Sequence, residues 1–163
     1  VLRSHPVYST QPIVYARSHR RETIQMAWNR GVSLSRAPYL TMLGVDEGTN
    51  QETSFEILAD YLDTHPHVDW VQADCRWTEV DAKGRWLRDL LVNDRSGYLS
   101  GCEYVEQGYL SFVGAMMRRS LHDRCGYYDG SFRGGGDNEF KSRVRPFIEV
   151  QMLPQTLGLY RNY

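Results

Sequence analysis

The order of apolar and polar positions predicts alternating strands and helices over the first half of the chain. "PIVYA" (12–16) is a short apolar, β-branched run behind a proline, the pattern of a strand. In "HRRETIQMAWNRGVSLSR", Ile24, Ala27, Trp28, Gly31 and Leu34 fall near helical spacing. "YLTML" (39–43) is an unbroken apolar run between Pro38 and Gly44, as expected of a strand buried on both faces. Thr49 and Glu52 stand in capping-box spacing ahead of Phe55, Leu58, Ala59 and Leu62, a second helix. "HVDWVQADCRWTEV" then reads as one or two strands, and "DAKG" (81–84) as the turn before "RWLRDLLV". This order is the alternation of an α/β sheet.

The second half is richer in Gly and Tyr. "FVGAMM" suits a strand, and "RSLHDRCG" a short helix closed by Gly126. "GGGDNEFKSRV" leads from a glycine run into a helix with Asp137 near its start and Phe140, Val144 and Phe147 along one side. "LGLYRNY" closes the chain as a strand.

Composition narrows the functional classes. The length suits a single domain over residues 1–163. A formal net charge of −1 argues against nucleic-acid binding by bulk charge. Lys83 and Lys141 are the only lysines, so nearly every cation is an Arg. The cysteines Cys75, Cys102 and Cys125 form neither a disulfide framework nor a zinc pattern, which suggests a reducing compartment. No apolar run is long enough to span a bilayer, and no signal peptide is evident.

Two carboxylate sites stand out. Asp46 and Glu47 follow the "YLTML" run, where the carboxyl end of a strand would deliver a ligand for Mg²⁺ or Mn²⁺. A solvated turn ahead of a capped helix explains the same two residues. Asp137 follows three glycines and could act as a general base, or simply favour a helix N-terminus. Glu139 and Arg143 are an i,i+4 pair, and Arg118 and Arg119 could hold phosphate or be solvated. His65 and His67 flank Pro66 at a helix end and have no evident further ligands.

Together these segments resemble the family 2 glycosyltransferases of the GT-A fold. "MAWNRGVSLSRAPYLTMLGVDE" is similar to the family's stretch that ends in a D-x-D element, with Ala27, Asn29, Gly31, Tyr39, Leu43 and Asp46 on matching positions. "SFVGAMMRRSLHDRCGYYDGSF" resembles its Arg-Arg, short-helix, G-x-[FY]-D segment. "GGDNEFKSR" resembles E-D-x-E-[apolar]-x-x-R, and "LYRNY" the terminal Y-R-x-H. Gly44 replaces the first Asp of the D-x-D element, Gly136 the Glu before the base, Trp28 an Arg, and Tyr163 a His.

The resemblance implies a Rossmann-like, mostly parallel sheet flanked by helices, incomplete at its N-terminus. A missing N-terminal half, from upstream sequence or another polypeptide, or a homo-oligomer, is then expected. Asp46 would bind Mn²⁺ or Mg²⁺, and Asn29, Glu47, Arg118 and Arg119 would lie on the donor diphosphate side. Asp137 would be the base, with Gly114, Gly136, Glu139 and Arg143 on the acceptor side. The implied activity is inverting transfer from a nucleotide-sugar to a carbohydrate or lipid-linked acceptor, in the cytoplasm or at the inner face of a membrane. An inactive carbohydrate- or partner-binding relative and a sugar-phosphate nucleotidyltransferase are the alternatives. The second would want a Gly-rich phosphate loop, which the sequence lacks.

Overall fold

The computed structural model describes residues 13–91 and 110–163. Cys102 and the segment around it lie outside them. The elements in chain order are α1 (Ile24–Leu34), β1 (Tyr39–Leu40), β2 (Glu47–Thr49), α2 (Ser54–Thr64), β3 (Trp70–Val80), β4 (Trp86–Leu91), β5 (Ala115–Arg118), α3 (Ser120–Cys125), α4 (Gly136–Val144) and β6 (Val150–Asn162). A single turn of 3₁₀ helix, Arg145–Phe147, follows α4.

The strands form one sheet in the order β1-β5-β3-β6-β2, with β4 on the outer half of β3. The α/β class with one helix-flanked sheet is as expected, but the strand directions are not. Only β3 and β6 run parallel; β1–β5, β5–β3, β3–β4 and β2–β6 are antiparallel. The sheet among the described residues is therefore mixed rather than mostly parallel. Two register shifts, on either side of Asp74, divide β3 into an inner half paired with β5 and an outer half paired with β4.

Side-chain alternation along β3 and β5 feeds two cores, one on each face. Trp70, Ala115 and Met117 join Val32, Phe112, Leu121, Tyr128, Phe140 and Val144 from the α1, α3 and α4 side. Val71, Ala73 and Met116 join Leu58, Leu62, Leu153 and Leu157 on the α2 side. Each fully buried large side chain contributes on the order of 1.5–3 kcal/mol.

Several expectations need correction. Residues 13–16 are exposed and lie outside the sheet, and Pro12 is not among the described residues. "YLTML" pairs only at Tyr39 and Leu40, on an edge strand. Its apolar character serves packing: the Thr41 hydroxyl donates to the Ala115 carbonyl at 2.9 Å, and Met42 turns into the core. The N-cap of α2 is Thr53, and Thr49 belongs to β2, so the expected capping box does not form.

In α1 the buried face shares only Trp28 with the expected apolar stripe. Thr23 caps the helix by accepting from the Met26 N–H. Gln25 and Val32 are buried, whereas Ile24 is 63% and Leu34 49% exposed. Polar residues face inward here because they meet backbone: Asn29 bonds both the N–H and the C=O of Tyr128, and Gln25 packs on Gly136. No helix among the described residues is long and apolar enough to cross a membrane.

Candidate functional site

The chain leaves β1 at Leu40 and reaches Asp46 through a turn, so the acid pair lies beyond the carboxyl end of that strand. Glu47 starts β2 and is level with Tyr160 on β6 and Trp77 on β3. The two carboxylates converge over Gly44. A Cβ added there would lie 2.9 Å from Asp46 Oδ1 and 3.4 Å from Glu47 Oε2. Glu47 Oε2 also accepts from the Gly44 N–H at 2.6 Å. An Asp at position 44 would thus crowd the pair, and the glycine keeps that space open.

Tyr160 completes this corner. Its hydroxyl hydrogen-bonds the Asp46 carboxylate, which, with burial and the two nearby negative charges, raises the phenol above its ordinary pKa. The Tyr160 ring lies against Trp77, with centroids 4.7 Å apart. Below them, burial and the Glu47 charge push the Cys75 thiol up to about 12, so it stays protonated. Asp46 and Glu47 form no ion pair among the described residues, and their oxygens are hard donors. No cluster of three or more His, Cys, Asp or Glu is placed to hold a metal among these residues. Such a donor set does not make a closed resident site. It suits Mg²⁺ or Mn²⁺ bound through one or two carboxylates, with phosphate oxygens and water completing the shell.

Asp137 sits in the first turn of α4, after Gly135 at φ 69°, a left-handed conformation that favours glycine. Lys141, one turn on, donates to Asp137 Oδ2 at 2.9 Å. Burial acts to raise the carboxyl, but Lys141 and backbone N–H groups outweigh it and hold Asp137 below the usual carboxylate range. Gly136 is fixed by close packing: a Cβ there would lie 2.7 Å from the Gln25 side chain. The Lys141 ammonium lies 5.2 Å from the centroid of the Phe112 ring. Phe112 belongs to the segment entering β5, which meets β3 at Gly114, beside Ala73. Gly114 has φ 71° and packs on Gly158, so it too is a close backbone approach. That entrance is at the same end of the sheet as the acid pair.

Asn29, Arg118, Glu139 and Arg143 are bonded into the scaffold. Asn29 is committed to Tyr128. The Glu139 carboxylate takes two bonds from Arg143, whose other donors reach the Tyr127 carbonyl at 2.8 Å and the Cys125 carbonyl. Arg118 caps the end of α2, donating to the carbonyls of Val68, Leu62 and His65. It pairs with Tyr39 at the amino end of β1, and Arg119 follows it, both at the end of the sheet opposite Asp46. That placement speaks against a phosphate role for either. His65 stacks on Tyr61 at 4.0 Å as the α2 C-cap residue.

No protein-family model matches the sequence, and no curated protein matches it. Solved structures do. The fold is similar to that of S. aureus TarS. The crystal structure of TarS 1-349 in complex with UDP-GlcNAc matches with a TM-score of 0.71 at 12% identity, covering 96% of this chain and 44% of that one. A second crystal structure of TarS 1-349 matches with a TM-score of 0.60 at 15% identity, covering 85% and 40%. The chain spans less than half the length of these TarS structures. At such low identity the likeness is one of fold: one mixed sheet with helices on both faces.

Sequence reasoning missed Tyr160 and Lys141. Tyr160 lay within a quoted motif but carried no separate signal, because its bond to Asp46 depends on strand register. Lys141 is i+4 from Asp137, the same spacing that marks Glu139 and Arg143 as a pair.

Proposed function

We propose that this chain is the cation- and acceptor-side portion of an inverting, family-2-like glycosyltransferase that uses a nucleotide-sugar donor. The observation that carries the reading is the convergence of Asp46 Oδ1 and Glu47 Oε2 over Gly44, with no ion pair to either among the described residues. The likeness to a fold solved with UDP-GlcNAc supports it. In this reading the two carboxylates would hold Mn²⁺ or Mg²⁺ on the donor side. The bound cation supplies Lewis-acid stabilisation of the departing nucleoside diphosphate. Tyr160 orients Asp46 for that task.

Asp137 accepts the proton of an acceptor hydroxyl on a carbohydrate or lipid-linked substrate. The hydroxyl oxygen forms a bond to the anomeric carbon from the face opposite the diphosphate. The anomeric carbon–oxygen bond breaks, and its electron pair leaves with the diphosphate, so the configuration inverts. A cytoplasmic setting goes with a nucleotide-sugar donor.

The test is release of UDP from UDP-GlcNAc by the full-length protein with Mn²⁺, in parent and Asp137→Asn forms. Turnover that collapses in the variant supports the reading. Gly44 in the place of an acid favours a second one, an inactive module that binds nucleotide or carbohydrate. Binding of UDP-GlcNAc without turnover under any acceptor would select that alternative.

A further inference from the structure

Lys141 and Tyr128 both lie close to Asp137. The Lys141 side chain is only 16% exposed, and its ammonium bonds Asp137 Oδ2 at 2.9 Å over the Phe112 ring. A cation so enclosed is not a casual surface partner. Tyr128 is 3% exposed, and its hydroxyl has no hydrogen-bond partner among the described residues. Burial, with the nearby Asp137 charge, drives the Tyr128 phenol well above its ordinary pKa. Lys141, on the same helix, and Tyr128, from the segment before it, are the titratable groups that face Asp137.

Tyr128 has little freedom to move. Asn29 clamps its backbone at both the N–H and the C=O. Its ring is wedged against Phe140 at 4.2 Å and Trp28 at 5.2 Å. Asp137 is less constrained, since its carboxylate turns about two side-chain bonds at the start of a helix. A buried hydroxyl without a partner is a strong attractor for a carboxylate, because the bond formed is charge-assisted. Asp137 bonds Lys141 and backbone N–H groups at the start of its helix, and the Tyr128 hydroxyl is a competing partner.

Given the base role assigned to Asp137 above, on which this inference rests, we propose that Lys141 is a positioning residue: it holds the Asp137 carboxylate toward the acceptor and keeps it from being captured by the buried Tyr128 hydroxyl.

The test compares the full-length parent with Lys141→Met, Lys141→Arg and the double variant Lys141→Met/Tyr128→Phe. One readout is the pH titration of the Asp137 carboxyl carbon by NMR, which needs no activity. The other is the pH profile of UDP release from UDP-GlcNAc. In Lys141→Met the carboxyl titration moves to higher pH, and kcat falls about 10–100-fold with KM for UDP-GlcNAc unchanged, the scale expected of a misplaced catalytic group. Lys141→Arg restores both, and adding Tyr128→Phe to Lys141→Met recovers part of kcat. An unchanged kcat in Lys141→Met, or no recovery of kcat on adding Tyr128→Phe, overturns the inference. A parent protein that releases no UDP overturns the transfer reading instead, so the two failures are read separately.

Discussion

Two pairs of carboxylates lie in this chain, and they are treated in opposite ways. On α4, Asp137 and Glu139 each have a cation one turn further on, Lys141 and Arg143. At the end of β1, Asp46 and Glu47 have none among the described residues; a tyrosine hydroxyl and a glycine N–H are their partners. Two adjacent carboxylates without a counter-charge repel one another. In the proposed reading, a bound cation would neutralise the second pair from outside. That asymmetry is why the proposal gives the cation to Asp46 and Glu47 and the proton to Asp137.

Within α4 the two ion pairs also differ. Arg143 spends its remaining donors on the carbonyls of Cys125 and Tyr127, so its pair docks the helix on the preceding turn. Among the described residues, Lys141 has only Asp137 and the Phe112 ring. The largest expected effect follows from this difference. Asp137→Asn lowers transfer by about 10²–10⁴-fold, whereas Glu139→Gln costs much less, measured as UDP release by the full-length protein. Equal losses in the two variants would erase the distinction.

Tyr160→Phe sharpens the view from the other pair. It removes the hydroxyl that orients Asp46 without disturbing the ring contact with Trp77. Mn²⁺ affinity in the presence of UDP is expected to fall about 10–100-fold by calorimetry, the usual cost of losing a group that orients a metal ligand. Unchanged affinity would mean that Asp46 needs no orienting partner.

Arg143→Met probes the docking pair. Two carbonyls lose their donor, with an expected cost of about 0.5–1.5 kcal/mol in urea unfolding. A comparable loss in Lys141→Met would make the two pairs equivalent.

The smallest effect is one of pH. Burial lowers His122 below its ordinary value of about 6.5, with Arg143 and Arg119 adding and Asp123 and the Gly126 carbonyl opposing. The unfolded chain takes up that proton before the folded one does, so the contribution to stability is complete above about pH 6.5 and is lost as pH falls toward the folded value. Urea midpoints measured at about pH 7 and pH 5 should diverge for the parent and converge for His122→Phe.

The sequence made some of this legible and concealed the rest for physical reasons. The periodicity of α2 and the glycine closing α3 are local signals, and both held. The buried face of α1 was hidden because Gln25 and Asn29 pack on glycine and backbone from distant segments, which no hydrophobic pattern encodes. The short β1 was misread because Met42 is apolar for the core and not for the ladder. Strand direction depends on connections that an apolar run does not record. Asp46 and Asp137 stood out as carboxylates beside special backbone, whereas the Tyr160 contact needed three strands in register.

The most direct test of the account is calorimetric titration of Mn²⁺ into the full-length protein, with and without UDP, for the parent and Asp46→Ala. The account predicts weak binding to the parent alone, markedly tighter binding with UDP present, and loss of that enhancement in Asp46→Ala. Tight Mn²⁺ binding by Asp46→Ala, or an enhancement by UDP that the substitution leaves intact, would contradict it.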